Sequence, residues 1–285
     1  MKTDSIDIKI IADTGGDFTD DLVKEYDVNL IPFTIEAGDD TFLDTDDVDT
    51  EAIMRSMENS PNPVRTACPA PGKFLKAMKD SLANNIFIVT ISGKLSGSFE
   101  SANAAKKQFL EEFPDKKVEI IDSMSASAGE ALVLYKLCKE VSKGMDFDTV
   151  TKAINEFASN MKTYFVLDSV DSLMKNGRLS RVKGTLVNVL GIKPLLGSNG
   201  EGEIVSYGGY RGSKRALKQL ADRICGEAKE SKNKEIFISY AGDEERARKL
   251  AELISECSEW SEIRVQHTRG LSTAYAQRGG VVVSY

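Results

Sequence analysis

Three short apolar runs each end at a small-residue turn that opens a helical stretch, and this repeated junction constrains the chain more than any other feature. "IDIKIIAD" (6–13) closes on Asp13 and the turn residues Thr14, Gly15 and Gly16, before a helical pattern from about Phe18 to Tyr26. "NIFIVTI" (85–91) passes through Ser92, Gly93, Ser96, Gly97 and Ser98 into a helix ending near Phe113. "KVEIID" (117–122) ends on Asp122 and leads through "SMSASAG" into "EALVLYKLCKEV". Strands that alternate with helices in this way predict an α/β fold, with a parallel sheet, right-handed crossovers and helices on its faces.

Between these junctions, "VNLIPFTIEA" reads as a strand region interrupted by Pro32, and the acidic "DDTFLDTDDVDTEAIMRSM" as an extended link capped into a short helix. "SPNPVRTACPAPGKF" holds four of the seven prolines and reads as stiffened turns, with a helix from Pro71 to about Ala83. Helix 146–161 closes an N-terminal α/β domain over 1–162. The remainder, 163–285, predicts a smaller α/β sandwich. It has short helical patterns first, a hairpin around "SNGEGE", and helices near 212–230 and 243–257 alternating with "EIFISY" and "EIRVQH", before a final "GGVVVSY".

With 44 acidic against 37 basic residues the net charge is −7, which disfavours broad contact with a phosphate backbone and argues against nucleic acid as a partner. Cys68, Cys138, Cys225 and Cys257 form no C-x-x-C pair and have no nearby histidines, so neither zinc nor a disulfide framework is signalled and reduced thiols are expected. The opening "MKTDSIDIKI" lacks an apolar leader core, and no segment reaches the roughly 18 apolar residues of a membrane span. A cytoplasmic protein without stable membrane insertion is expected.

The chemistry-bearing motifs are few. "GKLSGS" lacks the glycine five positions upstream that a nucleotide P-loop needs, and Gly15-Gly16 lacks the dinucleotide spacing. His267 is the one histidine and sits far from any serine elbow. "SLMK" (172–175) matches S-x-x-K without its companion elements. Asp13 and Asp122 stand at strand ends where ligands bind in such sheets, and read either as helix N-caps or as acid–base groups of an enzyme acting on a phosphorylated metabolite. The hydroxyl cluster at Ser96 and Ser98 either caps the following helix or joins Thr66 of "RTACPAPG" on one sheet edge to hold a small anion.

The same stretches resemble the DegV family of bacterial fatty-acid-binding proteins. "RTACPAPGKF" is similar to its T-S-x-P-x-x-x-F element, "ISGKLSGSFESA" to I-S-x-x-L-S-G-T-Y-x-S-A, and "IIDSMSASAGEALV" to D-S-x-x-x-S-x-G. "LMKNGRLS" resembles L-x-x-G-G-R-I-S, with Asn176 at the first glycine and Gly177 retained. "GYRGSKRAL" resembles R-x-x-K-K-A-L, and "IADTGGDF" the D-S-x-x-D start. In "STAYAQRGGVVVSY", Tyr275 stands at the histidine of the terminal H-x-G-P-G element and Arg278 at its proline. A tyrosine donates a hydrogen bond but brings no positive charge.

The resemblance implies two α/β domains with a lipid between them, no catalytic residues and no cofactor. It also implies a partner, a kinase subunit that phosphorylates the carboxylate of the carried fatty acid. On this basis Thr66 and Ser96 bind the carboxylate with the N–H groups of Gly97 and Ser98, and Arg178 and Tyr275 lie at the same end. His267 takes the place of Tyr275 only under another C-terminal alignment, and Arg211 is the surface residue that meets the kinase.

Overall fold

The computed structural model describes residues 8–179, 191–228 and 232–285, and its strands form three sheets. β1 (Ile8–Asp13) leads to α1 (Asp20–Glu25), and β2 (Asn29–Ile31) then runs parallel to β1. Pro32 has no N–H to continue the ladder, and beyond it β3 (Thr34–Ala37) and β4 (Asp40–Leu43) form a hairpin. α2 (Thr50–Glu58) begins where the Asp49 carboxylate accepts the Ala52 N–H at 2.9 Å. β5 (Arg65–Ala67) pairs antiparallel with β3. Thr66, expected in a stiffened turn on the edge of the parallel sheet, therefore belongs to an edge strand of a separate small sheet.

α3 (Pro71–Ser81), β6 (Asn85–Thr90), α4 (Ser98–Glu112), β7 (Lys117–Asp122), α5 (Ala128–Ser142) and α6 (Phe147–Asn160) complete the first half. The parallel sheet has the order β2-β1-β6-β7. Alternation along β6 decides which face each side chain serves: Ile86 and Ile88 pack with Phe74 and Phe109 of α3 and α4, while Phe87 and Val89 pack with Leu132 and Leu137 of α5.

From residue 163 onward come β8 (Thr163–Val166), α7 (Asp171–Lys175), the hairpin β9 (Ile192–Ser198) and β10 (Ile204–Arg211), then α8 (Ser213–Glu227) and β11 (Glu235–Tyr240). α9 (Glu244–Cys257), β12 (Glu262–His267), α10 (Gly270–Ala276) and β13 (Val281–Ser284) follow. This sheet has the order β10-β9-β8-β13-β11-β12, with β11 and β12 parallel and the other pairs antiparallel. α8 and α9 cover one face through Leu220, Ile224, Leu250 and Ile254. The other face gives Phe165, Phe237 and Val282 to the core shared with α5. α5 thus lies between the two large sheets, and every residue from Ala128 to Leu134 is buried.

The α/β class and the helix-flanked parallel sheet are as the sequence predicts. Residues 180–190 of the stretch read as short helical patterns, and the end of the helix expected to reach 230, lie outside the described residues. The thiols depart from expectation. Cys225 and Cys257 form a disulfide between the adjacent C-terminal ends of α8 and α9, with Cα atoms 5.8 Å apart, whereas Cys68 and Cys138 are free. Sequence spacing could not reveal the pair, because the packing of α8 on α9 brings together residues 32 positions apart.

Candidate functional site

A cavity of about 350 Å³ opens where the two large sheets, the small sheet and α10 meet, within the size range of small-molecule sites. One end is polar. Thr66 on β5 and Tyr275 on α10 meet there, their hydroxyl oxygens 2.9 Å apart. Ser96 and Gly97 come from the loop between β6 and α4, and Arg178 from the turn after α7. The Arg178 guanidinium is fixed by donating to the carbonyls of Leu95, at 3.1 Å, and of Asn176. Phe33, Ile91 and Leu271 pack into one apolar wall, and Phe165, Leu167 and Val282 line the cavity from the second sheet.

Buried carboxyl groups hold these parts in place. Asp13 accepts the Gly15 N–H at 2.8 Å, the Ile91 N–H at 3.2 Å and the Ser98 hydroxyl, so one side chain fixes both the first turn and the hydroxyl-rich loop. Its complete burial pushes its pKa up to about 6, against the pull of those donors. Asp122 accepts the N–H groups of Gly93 at 3.2 Å and Met124 at 2.8 Å. Asp17 accepts the Arg269 N–H at 2.7 Å, and Asp44 those of Gly270 at 2.8 Å and Leu271 at 3.0 Å, which together seat α10. Burial raises the pKa of all three.

Neither Asp13 nor Asp122 caps a helix as expected. The N-cap of α1 is Thr19 and that of α5 is Ser127, both without a side-chain cap, and the two carboxylates instead organise the turns that follow their strands. Neither lines the cavity, so the geometry does not aim them at a substrate. Ser98 is corrected as well. It is fully buried behind the loop, its N–H donates to Ser96 Oγ at 3.3 Å and its hydroxyl to Asp13, and it does not line the cavity. Thr66, Ser96, Gly97, Arg178 and Tyr275 do come together there.

His267 is exposed at the end of β12, with Nδ1 2.7 Å from the Thr268 carbonyl oxygen, and Tyr275 rather than His267 faces the cavity. Asn176 needs no glycine: its φ is −94°, and its side-chain amide donates to the carbonyls of Val64 and Ser172, each at 2.9 Å. Gly177, with φ of +74°, is where glycine matters. Arg211 is exposed at the end of β10, away from the cavity lining.

Sequence reasoning missed the apolar liners, Asp17, Asp44 and Glu130. Glu130 is fully buried and neither of its oxygens accepts a hydrogen bond among the described residues. Burial, and then the charge of Asp13, push its pKa well above the ordinary value. The one available signal was an acidic residue in the otherwise uncharged run "SAGEALVLY". Among the described residues no group of His, Cys, Asp and Glu is arranged to hold a metal ion, and no helix is long and apolar enough to cross a membrane.

The model of the family described as "Uncharacterised protein, DegV family" matches residues 7–285. The chain belongs to the DegV family. A DegV domain-containing protein of Streptococcus gordonii is 34% identical over 281 residues, which span 97% of this chain and 98% of that protein. A DegV family protein of Ruminococcus gnavus, solved with vaccenic acid, superposes with a TM-score of 0.94 at 31% identity, covering 98% of this chain and 100% of that one. The fatty acid kinase (Fak) B3 protein of Streptococcus pneumoniae, solved loaded with linoleic acid, gives 0.88 at 34% identity, with 98% of each chain covered. The arrangement of sheets and helices described above is the DegV fold.

Proposed function

We propose that this DegV protein is a non-catalytic carrier that binds a long-chain fatty acid between an N-terminal domain, 1–162, and a C-terminal domain, 163–285. Thr66, Ser96 and Tyr275 hydrogen-bond the carboxylate, the Gly97 N–H assists, and Arg178 supplies the positive charge that the tyrosine lacks. The observation that carries this reading is the cavity itself, lined in the main by apolar groups, with Thr66 and Tyr275 meeting in its lining at 2.9 Å. Burying an acyl chain of about 16 carbons at roughly 0.8 kcal/mol per methylene contributes on the order of 12 kcal/mol before ordering costs, so the polar end has only to orient the head. The fatty acids bound by the Ruminococcus and pneumococcal relatives support the same ligand class.

The carrier presents the carboxylate to a fatty acid kinase in the cytoplasm for acyl-phosphate formation, and Arg211 belongs to the docking surface. The name of the pneumococcal relative supports this partner, and no cofactor enters the reading. Native mass spectrometry of the purified protein tests it. A retained mass of fatty-acid size is expected, and a protein that arrives lipid-free and takes up no added fatty acid refutes it.

A further inference from the structure

Thr66, Ser96, Arg178 and Tyr275 line the cavity from four separate stretches of the chain, and Asn176 stands where those stretches are tied together. Its side-chain amide donates to the carbonyls of Val64 and Ser172, each at 2.9 Å. Its own carbonyl accepts from the Arg178 guanidinium, whose Nε donates to the Leu95 carbonyl at 3.1 Å. The Ser172 hydroxyl in turn accepts from the Gln277 side-chain amide at 2.7 Å.

Every one of these contacts lies beside a residue assigned to the carboxylate. Val64 precedes Thr66 by two positions, Leu95 adjoins Ser96, and Gln277 follows Tyr275 by two. Arg178 is held directly. Asn176 itself does not line the cavity. Donors that are already held at the spacing of a carboxylate bind it without a further ordering cost, whereas loosely held donors lose part of their gain to that cost. Both partners of the Asn176 amide are carbonyl oxygens, so the contacts need its N–H groups. A glycine has no side chain to supply them, and an aspartate of the same shape has no donor.

We infer that Asn176 is a positioning residue: without touching the ligand it holds β5, the turn after α7 and, through Ser172 and Gln277, the end of α10 at the spacing that a carboxylate head requires. This rests on the fatty-acid reading above and adds the residue on which its head-group selectivity depends. The test uses the full chain stripped of lipid and titrated with hexadecanoic acid and with hexadecanol, which carries the same length of chain on an uncharged head. The wild type is expected to prefer the acid. In Asn176→Ala that preference falls about threefold to tenfold, the worth of one hydrogen bond, through weaker binding of the acid alone. Hexadecanol binding stays unchanged, because the apolar walls are untouched. Gln277→Gly removes the other amide of the network at a residue whose φ of +54° suits glycine, and should lower the preference in the same direction, so the inference does not hang on one variant folding. No preference for the acid in the wild type, an undiminished preference in either variant, or an equal loss of acid and alcohol binding overturns the inference. Failure of the wild type to bind either ligand overturns the parent reading instead, and the inference falls with it.

Discussion

Replacing Glu130 with glutamine is expected to stabilise the protein, and to do so more as the pH rises. Glu130 enters the core with no donor for either oxygen among the described residues, and burial holds its pKa well above the 4.5 of a free glutamate. A carboxyl raised in this way keeps a proton in the native state that the unfolded chain has already released. Its contribution to stability is full below about pH 4.5 and is lost as the pH climbs toward the native pKa, at about 1.4 kcal/mol per pH unit. The cost of keeping Glu130 protonated therefore grows with every step of pH above 4.5 until the raised native pKa is reached. Glutamine has nearly the same shape, holds no titrating proton, and offers its amide to Asp13. Urea denaturation of both proteins at pH 5, 6, 7 and 8 measures the difference. Glu130→Gln should gain little on the wild type at pH 5 and progressively more toward pH 8, at no more than about 1.4 kcal/mol per pH unit. Asp17, Asp44 and Asp122 titrate in both proteins and largely cancel. A variant no more stable than the wild type at pH 7, or a difference that does not vary with pH, refutes the reasoning.

Thr66→Ala and Ser96→Ala should each weaken fatty-acid binding by about 1.5–3 kcal/mol, the worth of a hydrogen bond to a charged group, and undiminished lipid content in both variants would remove them from the head-group site. Reducing the Cys225–Cys257 disulfide, or replacing both cysteines with alanine, opens a loop spanning 32 residues and should lower stability by about 3–4 kcal/mol on the loop-entropy model; an unchanged denaturation midpoint argues against the bond. On the proposed docking role, Arg211→Ala should leave lipid content and melting temperature nearly unchanged while slowing acyl-phosphate formation by a cognate kinase, because Arg211 is exposed and does not line the cavity. Equal phosphorylation rates would take Arg211 off that surface, and lost lipid would place it in the pocket.

Local patterns carried most of the architecture. β1, β6 and β7 were legible because the length of each apolar run and the small-residue turn behind it, with a closing Asp in β1 and β7, all act within a dozen residues. β5 was not legible, since "RTA" is three residues long among prolines and becomes a strand only by pairing with β3. The polar end of the cavity divides in the same way. Ser96 and Gly97 lie in a turn that announces itself, but Thr66 and Tyr275 are 209 positions apart and meet only through tertiary folding. Their convergence was readable through family resemblance alone. The disulfide was misread for the same reason, and the apolar liners carry no mark that separates a cavity wall from ordinary core.

The carboxyl groups at the site act as scaffolding. Asp13 ties the β1 turn to the β6 loop, while Asp17 and Asp44, both in the first half of the chain, hold the backbone from which α10 starts near the C-terminus. Each arrangement trades an unfavourable burial of charge for two or three N–H and hydroxyl donors aimed at one carboxylate, and backbone amides in turns otherwise have few buried partners. Thr66 and Ser96 therefore stand on elements of the first half, and Tyr275 on a short helix of the second that is fastened to the first half by those acids. The ligand cavity lies across this joint. Its shape depends on carboxyl groups that lie outside its lining, so substituting one of them would alter binding by moving α10, not by removing a contact.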